Sequence, residues 1–84
     1  MSRRGTTPDG ESIESCVFRS LEQYFESLGS AKPHALHEMV LGAAERPLLQ
    51  FVLERCEGNQ SAAAELLGIN RNTLRRKLLD YGLQ

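Results

Sequence analysis

Two short helical segments meeting at Gly68 constrain this chain more than any other feature of its sequence. Asn59 is a good N-cap for a helix over 60–67, because its side-chain oxygen can accept from an amide of the first turn that has no partner within the helix. Apolar Ala63, Ala64, Leu66 and Leu67 are expected to face inward from it. Gly68 ends that helix, Ile69 is the apolar residue of a tight turn, and Asn70 can cap a second helix over 71–80. Leu74 and Leu78 are four apart and share its buried face. The pattern Gln60, Ala64, Gly68, Ile69, Leu74 has a physical logic. A small residue lets two helices approach, glycine permits a positive-φ turn, and the apolar side chains lock the crossing. The expectation is a helix-turn-helix unit over 58–84.

The exposed side of the second helix carries the chemistry. Residues 71–77 hold four basic side chains and no acid, although the chain as a whole has a net charge of -1. Arg71 and Arg75 share one face, and Asn72 and Arg76 share the next. Cations usually complement a helix C-terminus, yet Arg71 stands at the N-terminal end, where the dipole disfavours it. Such a placement points to a partner outside the chain. Arginine there suits bidentate contact with guanine edges in the major groove of double-stranded DNA. Arg76, Lys77, Asn59, Ser61 and Thr73 suit phosphate contacts, which position a protein without reading sequence.

Upstream, Ser12 can cap a helix over 13–28, with Ile13, Val17, Leu21, Tyr24, Phe25 and Leu28 along one stripe and Gly29 at its C-terminal cap. A longer helix is expected from about 35 to 56, carrying Leu36, Met39, Val40, Leu41, Ala43, Ala44, Leu48, Leu49, Phe51, Val52 and Leu53. That apolar face is too wide for a helix buried on one side only. Pro47 removes the bond to the carbonyl of Ala43, so a kinked single helix ending near Gly58 is expected. Residues 1–11, with Met1 their only bulky apolar side chain, are expected to form a disordered arm.

At 84 residues the chain is long enough for one small core. The first two helices carry more apolar surface than such a chain covers by itself, so residues 12–57 are expected to form a homodimer. Leu21, Phe25, Met39, Val40, Leu48, Phe51 and Val52 are its candidate core contacts. No apolar run reaches membrane-span length and the N-terminus has no secretory signal, so a cytoplasmic protein is expected, free-standing from Met1. Cys16 and Cys56 are expected to pack as small apolar groups. His34 and His37 are spaced like a metal pair without the further ligands of a structural zinc site, so a solvated helix start is expected. No cofactor is expected. Nor is enzyme activity, because no Ser/His/Asp or Cys/His set, carboxylate pair or metal cluster assembles from local motifs.

Gly58-Asn59-Gln60, Ala63-Ala64, Leu67-Gly68-Ile69-Asn70-Arg71, Thr73-Leu74-Arg75, Lys77-Leu78 and Tyr81-Gly82 resemble the C-terminal helix-turn-helix of the Fis family of bacterial nucleoid-associated proteins. Tyr24-Phe25, Glu38-Met39-Val40-Leu41 and Pro47-Leu48-Leu49 extend the resemblance upstream, so that it covers about residues 13–84. It implies an all-α, four-helix protomer whose first two helices build an intertwined homodimer. It also implies base contacts from Asn70, Arg71 and Arg75, and backbone contacts from Asn59, Ser61, Thr73, Arg76 and Lys77. The resemblance implies a nucleoid-located transcription regulator, and, because in that family the paired recognition helices stand closer than successive major grooves, one that bends DNA. Ala62, Leu79 and Asp80 depart from basic positions of the family, implying weaker backbone binding. The shorter N-terminal arm lacks the strand pattern tied to the family's recombinase contact; RNA polymerase is a further candidate partner.

Two other readings compete. The related C-terminal DNA-binding domain of enhancer-binding activators shares the Gly-Asn and Thr-Leu-x-x-Lys-Leu pattern, but normally follows an ATPase for which this chain has no room. A dimeric protein-interaction module that never touches DNA is the other, and the four cations on one short helix argue against it.

Overall fold

A computed structural model describes residues 12–84; the arm expected over 1–11 lies outside them. The described residues form an all-helical chain of four helices: α1 (Ile13–Leu28), α2 (Leu36–Arg55), α3 (Gln60–Leu67) and α4 (Arg71–Tyr81). They divide into two compact units, one ending at His37 and the other comprising Glu38–Gln84. No helix of the described residues is long and apolar enough to cross a membrane.

Helix ends are set by local chemistry. The Ser12 hydroxyl accepts from the Ser15 amide at 3.0 Å, and the Asn59 side chain accepts from the Ala62 amide at 3.1 Å. Each satisfies an amide that helix geometry leaves unpaired. Gly29, with φ 63°, closes α1 as expected. The end of α2 uses two positive-φ residues in succession, Glu57 and Gly58, and the Gly58 amide returns to the Leu53 carbonyl at 2.9 Å. Ala35 also has positive φ, immediately before α2, a conformation its sequence did not advertise.

In the first unit, α1 has no buried residue. Val17, Leu21, Tyr24 and Leu28 are half-buried, while Ile13, Phe18 and Phe25 are exposed. Tyr24 and Phe25 meet edge to face, with ring centroids 5.8 Å apart. Cys16 is exposed, against the expectation that it packs as an apolar group; it falls off the stripe of Ile13, Val17 and Leu21. His34 and His37 are exposed, and no group of three or more potential metal ligands occurs among the described residues.

The second unit is built on Leu49, Val52, Ala63, Ala64, Leu74 and Leu78, with Leu53, Cys56, Leu67, Ile69, Tyr81 and Leu83 packed against them. α2 runs through Pro47 as a single helix. Its wide apolar face resolves into two. At about 100° per residue, Leu49, Val52, Leu53 and Cys56 fall on one side, toward the core. Leu48 and Phe51 are turned away from the centre of that side and are exposed; Leu41, three turns before Val52 on nearly the same line, is exposed too. Val52, read from sequence as a candidate dimer contact, is buried in the protomer's own core. Leu66 corrects a second expectation: one step before Leu67, it is turned roughly 100° away from it and is exposed rather than inward.

Candidate nucleic-acid interface

The turn between α3 and α4 is built from Gly68, Ile69 and Asn70. Gly68 adopts a left-handed conformation with φ 76°, and its amide donates to the carbonyls of Ala64, at 2.9 Å, and Glu65, at 3.2 Å. The Ile69 amide also reaches the Ala64 carbonyl, at 3.1 Å. Three bonds thus close the end of α3 while the chain reverses, a geometry that a residue without Cβ enters at least cost. Asn70 returns to extended backbone, and its side-chain oxygen accepts from the Asn72 amide at 2.7 Å. That cap sets where α4 begins.

From this start, α4 divides into an inner and an outer side. Leu74 and Leu78 are fully buried against Ala63, Ala64 and Leu49 in the same cluster. Burying a leucine contributes roughly 1.5–3 kcal/mol, so the rotational setting of α4 is dictated by these two side chains. Asn72, Thr73, Arg75 and Arg76 fall away from the stripe of Leu74 and Leu78 and are exposed, with a groove lined by Asn72, Thr73 and Arg76; Arg71, three residues before Leu74, is exposed in the first turn of the helix. Among the described residues, Arg71, Arg75 and Arg76 take part in no ion pair within the chain. Asn59, Ser61 and Asn70 are exposed as well. The residues read from sequence as base-contacting therefore cluster at one end of α4, with Asn59 and Ser61 at the start of α3.

Lys77 is placed differently. It is half-buried, and its Nζ lies 3.0 Å from Oε2 of Glu45 on α2. The other oxygen of that carboxylate accepts from the Tyr81 hydroxyl at 2.7 Å. The Arg46 guanidinium lies 5.5 Å from the centroid of the Tyr81 ring, within cation–π range. The Tyr81 hydrogen bond, followed by that of Lys77, holds the Glu45 carboxyl below its ordinary pKa. The same bond to Glu45 raises the Tyr81 phenol above its own. Neither Glu45 nor Tyr81 was singled out from sequence as part of a polar cluster. They lie 36 residues apart, and no local spacing links them.

The chain matches the family model described as "Bacterial regulatory protein, Fis family" over residues 40–81. It is 50% identical over 78 residues to a protein of Neisseria meningitidis named as a Fis-like DNA-binding protein, covering 93% of this chain and 95% of that one. It is 42% identical over 71 residues to the DNA-binding protein Fis of Proteus mirabilis, covering 84% of this chain and 72% of that one. It is also 44% identical over 78 residues to the DNA-binding transcriptional regulator NtrC of Azospirillum brasilense, which takes in 92% of this chain but 16% of that protein.

Proposed function

From the premise that the chain belongs to the Fis family of bacterial regulatory proteins, we propose that it is a homodimeric DNA-binding and DNA-bending regulator of the bacterial nucleoid. It enters the major groove with α4. One observation carries this reading: Arg71, Arg75 and Arg76 stand exposed, without ion-pair partners among the described residues, on a helix that Leu74 and Leu78 lock into the core. Arg71 and Arg75 read base edges, with Asn70 beside them; Asn59, Ser61, Thr73 and Arg76 hold phosphates.

The homodimer is supported by apolar side chains that the protomer leaves in solvent. Phe25 is 46% exposed, Met39 39%, Leu48 49% and Phe51 61%, values a second copy would lower. Leu21 and Val40 are half-buried and belong to the same proposed interface. Bending follows if the two α4 helices of such a dimer stand closer than the roughly 34 Å between successive major grooves. Curving a 20 to 30 base-pair site costs on the order of 1–6 kcal/mol. Ala62, Leu79 and Asp80 offer no cation to flanking phosphate, so the expected bend is modest.

The test is a mobility-shift comparison of preferred and random duplexes. Arg71→Ala and Arg75→Ala should each narrow the difference by roughly 1–3 kcal/mol, whereas Arg76→Ala should weaken all duplexes alike. Equal losses on every sequence for all three variants would count against the base-reading assignment. Circular-permutation assays on one high-affinity site measure the bend, and a straight complex would remove it from the proposal. The likeness to a short part of NtrC favours a second reading, in which the same unit serves as the DNA-binding domain of a larger activator. An immunoblot for the size of the native protein separates the two.

A further inference from the structure

Three of the four α4 cations are exposed and without an ion-pair partner among the described residues, and the fourth is not. Lys77 turns to α2 and pairs with Oε2 of Glu45, while Oε1 of the same carboxylate accepts from Tyr81. Lys77 and Tyr81 stand four apart on α4, so one carboxylate grips two side chains separated by a single helical turn. Gly42, a turn before Glu45 on α2, lies beside the Tyr81 ring: a Cβ there would be in ordinary contact with the hydroxyl oxygen, at 3.7 Å. Arg46 lies against the ring. Both carboxylate oxygens are thus engaged, each by a different donor of the same helix.

We propose that Glu45 is a positioning residue that holds Lys77 off the DNA phosphates, and thereby sets the strength and salt dependence of binding rather than its choice of sequence. The inference rests on the DNA-binding reading above. A lysine ammonium is a compact point charge that serves a phosphate or a carboxylate equally well. A cation that neutralises a phosphate releases condensed counterions, each such contact adding about 0.9 to the slope of log affinity against log salt. An ammonium already neutralised by Glu45 releases none. The Tyr81 bond strengthens this arrangement, because it orients the carboxylate toward Lys77 before any DNA arrives. Leu78, buried next to Lys77 in sequence, fixes the helix rotation that points the lysine at α2. Arg75 and Arg76, on the outer side, have no such competitor among the described residues.

Salt titrations of DNA affinity with the full chain test this. Glu45→Gln keeps an oxygen for the Tyr81 hydroxyl but surrenders the charge that binds Lys77. The expected result is a slope steeper by about 0.9 per protomer, with affinity raised on preferred and random duplexes alike. In the double variant Glu45→Gln, Lys77→Met the slope should return to that of the unaltered chain. An unchanged slope in the single variant overturns the inference. So does a gain that persists in the double variant, since that gain would come from deleting a negative charge and not from freeing the lysine. Should the single variant melt early, carboxyl-carbon NMR of the unaltered protein gives the same decision. Glu45 should keep its Lys77-paired shift when DNA binds, and a move to the shift seen in Lys77→Met overturns the proposal. Failure of the unaltered chain to bind DNA would instead overturn the DNA-binding reading, and this inference with it.

Discussion

The Tyr81 hydroxyl donates a 2.7 Å hydrogen bond to Oε1 of Glu45, tying the last turn of α4 to the middle of α2. The bond has a two-sided pH signature. The carboxyl is held below its ordinary value of 4.5, so its contribution to stability is present above that value and lost as pH falls through the lower, folded pKa. The phenol is raised above its ordinary value of 10.0, so its contribution is present below 10.0 and lost as pH rises through the higher, folded pKa. Tyr81→Phe should therefore lower Tm modestly between these values, with the difference from the unaltered chain shrinking at both extremes. A difference independent of pH would show that the bond to the Glu45 carboxylate is not what the hydroxyl contributes.

Two glycines respond oppositely to alanine. At Gly68, with φ 76°, a Cβ would meet nothing within 4 Å, so the cost of Gly68→Ala is that of the backbone alone, about 1–2 kcal/mol. Gly42 lies inside α2, where a Cβ would make only ordinary contacts with Tyr81. Gly42→Ala should stabilise by roughly 0.5–1 kcal/mol. Urea unfolding of both variants measures the pair. Destabilisation by Gly42→Ala would mean that Tyr81 has less room than its 3.7 Å separation implies.

Asn70 serves two purposes that substitution separates. Its side-chain oxygen caps α4, 2.7 Å from the Asn72 amide. Asn70→Ala should lose about 1 kcal/mol of stability with the cap. Asn70→Asp keeps an accepting oxygen and suits the positive end of the helix, but sets a negative charge beside Arg71 and the proposed DNA. It should melt no earlier than the unaltered chain and bind every duplex more weakly. Undiminished DNA binding by Asn70→Asp would leave Asn70 with its capping role alone.

Leu48 probes the proposed dimer, since it is 49% exposed and lies off the stripe of α2 that enters the protomer's core. Leu48→Asp would carry a carboxylate into any interface formed there, a desolvation that a dimer cannot offset without a partner for the charge. Sedimentation should show a shift from dimer to monomer. A stable dimer in the variant would move the interface elsewhere. Val52→Asp makes the contrast: at 7% exposure, within the α2–α3–α4 core, it should unfold that unit outright.

Local chemistry in the sequence determined where the elements of this protein lie. Ser12, Asn59 and Asn70 cap α1, α3 and α4, and Gly29 and Gly68 close α1 and α3, because caps and positive-φ turns depend on residues within a turn of one another. The spacing of Leu74 and Leu78 likewise determined which side of α4 is buried, and with it the exposure of Arg75 and Arg76. Only the tertiary structure decided how α2's apolar residues divide, sending Leu49 and Val52 into the core and leaving Leu48 and Phe51 exposed. Periodicity marks a residue as apolar and sets its angle on the helix, but it does not say which neighbour occupies that angle. The same limit hid the Glu45, Lys77 and Tyr81 cluster. Lys77 belongs by sequence to a run of cations, and what removes it from that run is a carboxylate brought from another helix by packing.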